Sequence, residues 1–111
     1  MFNVMHTSAD LDAAIEASQE KPIVIFKHSA TCPFSAAAQV EVTHAKHDID
    51  IYGIVLQYAK DLKQEIADRL GVEHQSPQTI IVHKGKAVSH QWRGEIKERK
   101  LKEAVKELRA A

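Results

Sequence analysis

The stretch Ile23-Val24-Ile25-Phe26-Lys27-His28-Ser29-Ala30-Thr31-Cys32-Pro33-Phe34-Ser35 decides how this chain is read. Its first four residues are a short, continuously apolar and largely β-branched run, the pattern of a strand covered on both faces. Residues 27–31 read as a polar link. Pro33 then stands where proline is best tolerated, in the first turn of a helix, because the N–H it lacks would have had no intrahelical partner there. Phe34, Ala38, Val42 and Ala45 recur on one face of that helix. A central strand running into a helix therefore places Cys32 at the helix start.

Moving towards the N-terminus, Leu11, Ala14, Ile15 and Ser18 repeat at helical spacing over residues 8–19. Thr7 and Asp10 are spaced as a capping box at its start. Moving towards the C-terminus, residues 44–48 read as a helix end and surface loop, and residues 51–58 as a second strand. Asp61 and Gln64 have the spacing of the next cap. Leu62, Ile66 and Leu70 form a stripe that stops at Gly71. Ser76-Pro77-Gln78 leads into a third strand over 79–82, and Lys84-Gly85 separates it from Ala87-Val88 as in a tight hairpin. Leu101, Ala104, Val105 and Leu108 mark a final amphipathic helix. The order is α-β-α-β-α-β-β-α without linker, repeat or low-complexity tract, which predicts an α/β domain spanning residues 1–111. Its expected core is a mixed four-stranded sheet with helices on both faces.

Composition bounds the function. With 111 residues, 44% hydrophobic and 27% charged, the chain is an ordinary globular domain rather than a disordered one. Fifteen basic and fifteen acidic residues cancel, so the field that gathers nucleic acid or anionic lipid is missing; small-molecule or protein partners are expected instead. The opening residues carry neither a basic region nor an apolar core of a leader, and no stretch has the roughly 20 apolar residues of a membrane span. A cytoplasmic location is expected.

The single cysteine, Cys32, excludes an internal disulfide. At a helix start its sulfur faces unpaired amides and the positive end of the helix dipole, which lower a thiol from about 8.5 into the range of about 3.5 to 7.5. A fall to about 6 raises the thiolate fraction at neutral pH roughly thirtyfold, while the accompanying loss of nucleophilicity removes roughly tenfold of that. The larger gain is as a leaving group, so Cys32 suits accepting a group and passing it on. Ser35 stands three residues later, where its hydroxyl can donate to the sulfur but cannot resolve a disulfide; any second thiol comes from elsewhere.

Other candidates have plainer accounts. Ser76-Pro77 on its own reads as a trans-proline loop, since only about 5–6% of X–Pro bonds in folded proteins are cis. His44 and His47 share a helical spacing but no third metal ligand follows, and a solvated helix end is the better reading. His28 is either a tuner of Cys32 or a polar strand terminus. Arg93 reads as a surface arginine, with contact to an anionic thiol as the alternative, because guanidinium matches carboxylates bidentately.

With the Cys32-Pro33-Phe34-Ser35 site after the first core strand and Pro77 opening the hairpin, the chain resembles the thioredoxin superfamily. More narrowly, residues 28–35 and His74-Gln75-Ser76-Pro77-Gln78 resemble the monothiol bacilliredoxin (YtxJ-like) family over nearly the whole chain. The resemblance implies a thioredoxin-like fold in which Cys32 attacks a protein–bacillithiol mixed disulfide, releases the client thiol and carries the bacillithiol. A further low-molecular-weight thiol then restores Cys32, and no tightly bound cofactor is implied. It also implies a cis Pro77 beside Cys32, a Ser76 backbone free to pair with a substrate strand, and a Gly94 that lets substrate approach. Trp92 departs from ordinary thioredoxins, in which tryptophan precedes the active cysteine; here Thr31 does. Two other classes are carried beside this one. They are an iron–sulfur cluster carrier like the CGFS monothiol glutaredoxins, although Pro33 replaces that motif's glycine, and a non-catalytic thioredoxin-like binding module.

Overall fold

The computed structural model describes residues 2–43 and 47–110. His44, Ala45 and Lys46, on which part of the helix face and the histidine pair were read, lie outside the described residues. The elements in order are β1 (Phe2–Val4), α1 (Ser8–Ala17), β2 (Ile23–His28), α2 (Pro33–Thr43), β3 (Asp50–Val55), α3 (Lys60–Leu70), β4 (Gln78–His83), β5 (Lys86–Trp92), a 3-10 turn (Arg93–Glu95) and α4 (Glu98–Ala110).

The sheet has the order β1-β3-β2-β4-β5. β3 runs parallel to both β1 and β2, whereas β4 is antiparallel to β2 and to β5. The mixed sheet is as expected, but it has five strands rather than four. The added strand, β1, is only three residues long and is defined by its pairing with Ile51–Gly53, so no local pattern announces it.

β2 is the centre of the fold. Its alternate side chains enter two separate cores: Ile23 and Ile25 pack with Leu11 and Ala14 of α1 and Leu62 and Ile66 of α3, whereas Val24 and Phe26 pack with Ala38 and Val42 of α2 and Leu101 and Val105 of α4. That two-sided burial is why the run is apolar without alternation. The strand also continues through Lys27 and His28, which the sequence places in a polar link. Lys27 pairs in register with Ile54 on one side and Gln78 on the other, so the ladder extends past the apolar run and takes a lysine with it.

Local signals hold where the chemistry is local. The Thr7 side chain accepts from the Asp10 amide and the Asp10 carboxylate accepts from the Thr7 amide, forming the capping box. Gly71 ends α3 in the left-handed conformation at φ 67°. Lys84 and Gly85 both have positive φ, 53° and 77°, the combination that matches the twist of a two-residue hairpin. The Lys84 and Gly85 amides donate to the Ser18 carbonyl and hydroxyl, tying the hairpin to the end of α1. Asp61 is not the cap of α3: the helix starts at Lys60, and Ala59 precedes it without a side-chain cap bond. β3 ends at Val55 rather than continuing to Tyr58, and α1 ends at Ala17.

Candidate functional site

Cys32 immediately precedes α2, and its carbonyl accepts the first bonds of the helix, from the Ser35 amide at 3.0 Å and the Ala36 amide at 3.2 Å. The thiol belongs to a half-buried residue. It is held below its ordinary value chiefly by the Ser35 amide; partial desolvation opposes this, and the Phe34 amide, the Ser35 hydroxyl and the positive charge of Arg93 lower it further. The helix start thus acts on the sulfur through named donors, of which the backbone is the largest.

Ser35 is buried, and its Oγ accepts from the Ser29 amide at 3.0 Å. The same hydroxyl also hydrogen-bonds the Cys32 sulfur and favours its thiolate. Ser29 is fixed in turn by Gln57, whose Nε2 donates to the Ser29 hydroxyl at 2.7 Å and whose Oε1 accepts from the Ala30 amide at 3.1 Å. Sequence reasoning missed Ser29 and Gln57 because Gln57 reaches the loop from the far end of β3. Replacing Ser35 with alanine is expected to raise the midpoint of Cys32 alkylation against pH and to destabilise the fold by about 1 kcal/mol, since the Ser29 amide loses its acceptor. An unchanged alkylation midpoint would show that the hydroxyl does not bond the sulfur.

The Ser76-Pro77 bond is cis, in agreement with the resemblance and against the reading of those two residues alone. The Pro77 carbonyl accepts from the Arg93 amide at 3.1 Å, and the Arg93 guanidinium lies 4.7 Å from the centroid of the Phe34 ring. Arg93 thereby joins the segment before β4 to the first turn of α2, two residues from Cys32. Gly94 follows it, and a Cβ built there meets nothing within 4 Å, so the space over it is open. The Ser76 hydroxyl is buried with no partner among the described residues.

His28 is buried and its ring stacks on Phe26 at 4.8 Å; desolvation lowers its pKa, so it stands neutral in β2. His47 uses both ring nitrogens on backbone, Nε2 at 2.7 Å from the Val42 carbonyl and Nδ1 accepting from the Ile49 amide at 3.1 Å. It therefore closes the end of α2 rather than presenting a ligand. Among the described residues no group of three histidine, cysteine, aspartate or glutamate side chains is placed to hold a metal, and no helix is long and apolar enough to cross a membrane.

One polar feature near the site was not anticipated. Lys27 is fully buried, and its Nζ lies 3.2 Å from Nδ1 of His74, in the segment that leads to Ser76-Pro77. Burial, and then the charge of Lys63, push the amine down to about 8. The side chain of Gln78 donates to the Glu73 carbonyl at 3.2 Å, so the segment before β4 is held by two side chains from the sheet.

Comparison with known proteins gives a concordant result. The model of the family described as monothiol bacilliredoxin BrxC matches residues 3–101. A solved structure described as a candidate oxidoreductase with a thioredoxin fold is 30% identical, with a TM-score of 0.84 and coverage of 93% of this chain and 92% of that one. A thioredoxin from Fasciola hepatica is 19% identical, with a TM-score of 0.73 over 96% of this chain and 98% of its own. Thioredoxin f from spinach chloroplast is also 19% identical, with a TM-score of 0.71 over 97% and 93%. The last two show the fold alone.

Proposed function

Because the chain belongs to the monothiol bacilliredoxin family, we propose that it removes bacillithiol from mixed disulfides on protein cysteines, with Cys32 as the attacking thiol. A thiol redox role follows from the family and from the thioredoxin fold; the finer reading is supported above all by one observation. The chain's single cysteine sits at the start of α2 with its thiolate stabilised by amides, and the buried hydroxyl of Ser35 stands where a dithiol enzyme would place its second sulfur.

The Cys32 thiolate attacks the bacillithiol sulfur of the mixed disulfide. The Cys32–bacillithiol S–S bond forms as the client S–S bond breaks, and the client departs as thiolate, taking up a proton from water. A second low-molecular-weight thiolate then attacks the bacillithiol sulfur on Cys32, yielding a small-molecule disulfide and the Cys32 thiolate. In that second step Cys32 is the leaving group, and the donors that lower its pKa speed its departure. Pro33 begins the helix whose amides do this, and Ser35 adds its hydroxyl.

The client segment lies extended against the backbone of Ser76, beside Pro77, and crosses the open space over Gly94. Edge pairing of this kind binds by main-chain hydrogen bonds and tolerates many client sequences. The site works in the cytoplasm, where small thiols are kept reduced.

The test is intact-mass analysis after mixing the reduced protein with a client carrying one bacillithiol. The expected result is a bacillithiol adduct on Cys32 with loss of the adduct from the client. A client that keeps its bacillithiol while Cys32 stays unmodified would overturn the proposal.

A further inference from the structure

Arg93 carries the strongest unexplained signal on the surface around Cys32. Its backbone is left-handed, φ 49°, a conformation that costs a non-glycine residue on the order of 1 kcal/mol. Glycine would adopt it without penalty, and a glycine stands next in the chain at 94. Holding an arginine there therefore opposes stability, and the reason is to be sought in its side chain.

That side chain is pre-oriented. The guanidinium lies 4.7 Å from the centroid of Phe34 and 4.7 Å from that of Trp92. Both aromatic residues are themselves exposed, at 52% and 37%, so the stack covers no core and its effect is to fix the plane of the fork. Among the described residues no carboxylate lies within ion-pair distance of it, although the other arginines 69, 99 and 109 all have acidic partners. The nearby Glu95 carboxylate is engaged elsewhere, accepting from the Trp92 amide at 3.2 Å. Among the described residues Arg93 is thus a cation stacked between two rings, with no hydrogen-bond partner for its guanidinium and no counter-ion, held against the first turn of α2.

We infer that Arg93, set between Phe34 and Trp92, is the binding site for a carboxylate of the low-molecular-weight thiol carried on Cys32. The substrate class is accordingly that of carboxylate-bearing thiols, which the planar fork can bind bidentately where a lysine would offer only a point charge. The inference rests on the thiol-transfer reading of Cys32 and adds to it what the small thiol must carry. It also accounts for Trp92, which is placed at the end of β5 to hold this guanidinium rather than before the cysteine.

The experiment compares two adducts that differ only in the charged group. A client peptide is loaded through a disulfide with N-acetylcysteine or with N-acetylcysteine amide, and transfer to Cys32 is timed by mass for the unmodified protein and for Arg93→Gln, Arg93→Lys and Arg93→Gly. The quantity read is the ratio of the two rates. Any change in Cys32 acidity caused by losing the Arg93 charge acts on both adducts alike and cancels in that ratio.

The expected result is that the preference for the carboxylate falls about five- to tenfold in Arg93→Gln and Arg93→Gly, falls less in Arg93→Lys, and weakens with salt. If Arg93→Gln and Arg93→Gly keep the full preference, or slow both adducts equally, Arg93 acts only through its field on Cys32 and the inference is overturned while thiol transfer stands. Failure of the folded, unmodified protein to take either adduct would overturn the transfer reading and the inference with it.

Discussion

Cys32→Ala is expected to reduce thiol transfer to the uncatalysed background while the fold stays intact. The residue contributes to folding through its carbonyl, which accepts the Ser35 and Ala36 amides at the start of α2, and alanine keeps that carbonyl. Its side chain is half-buried and forms no disulfide, so the stability change should stay within about 1 kcal/mol. The sulfur, by contrast, is the chain's sole thiol. The hydroxyl of Ser35 cannot accept the transferred thiol in its place, because it has no accessible alkoxide at neutral pH. Cys32→Ser should behave the same way for that reason, and the loss in either variant should be on the order of a thousandfold or more, as for removal of other covalent nucleophiles. Thermal unfolding together with adduct transfer checks both halves. An active alanine variant would contradict the assignment of Cys32.

The second large effect concerns Lys27. Its amine is pushed from 10.5 down to about 8 by burial, so the folded state disfavours the charged form. The sign follows directly. Below pH 8 lysine is charged in both states and the folded protein bears the full cost of burying it, about 3 kcal/mol for a shift of this size. Between about pH 8 and 10.5 the unfolded chain holds the proton and the folded chain does not, so this residue's contribution makes stability rise with pH across that window. Above it the cost is gone.

Lys27→Met, which keeps the length of the side chain without the charge, is therefore expected to be more stable at pH 7 by about 1–3 kcal/mol. The gain is less than the full cost because Nδ1 of His74 loses the donor at 3.2 Å. The difference between the two proteins should shrink as pH rises from 8 to 10.5. Denaturant unfolding at several pH values measures it. A methionine variant that is less stable at pH 7, with a difference flat against pH, would show that the amine is neutral or solvated in the folded protein.

A lysine that opposes stability near the end of β2 and touches the segment before Pro77 parallels Arg93, whose left-handed backbone opposes stability and whose amide donates to the Pro77 carbonyl. Both are placed where the chain presents Ser76 and Pro77. Stability withheld at such positions is common where a site must be held in one geometry.

Much of this was legible in the residues because the deciding forces act over a few positions. The apolar run 23–26 forms β2 with one side chain in each core by turns. Pro33 opens α2, Thr7 and Asp10 cap α1, and Lys84-Gly85 makes the hairpin. Cys32 at the helix start followed from the same local logic, as did the amides that lower its pKa. Sequence patterns failed where a partner far along the chain overrules them. Lys27 and His28 look like a polar link, yet hydrogen bonding to β3 and β4 draws them into the strand. Asp61, by contrast, has the spacing of a cap, yet α3 already starts at Lys60 and Asp61 lies in its first turn, a shift for which no distant partner is seen among the described residues.

By itself, then, the sequence determined the α/β order and the position of the lone thiol at a helix start, since helix periodicity, capping and turn geometry are encoded within about ten residues, while the thioredoxin-like class followed from the resemblance of its two motifs. Only the tertiary structure decided the fifth strand, the loop held by Ser29, Ser35 and Gln57, the burial of Lys27 against His74, and the setting of Arg93 between Phe34 and Trp92. Each of these is an encounter between segments tens of residues apart, and its energy depends on burial and orientation that arise only when the sheet has formed.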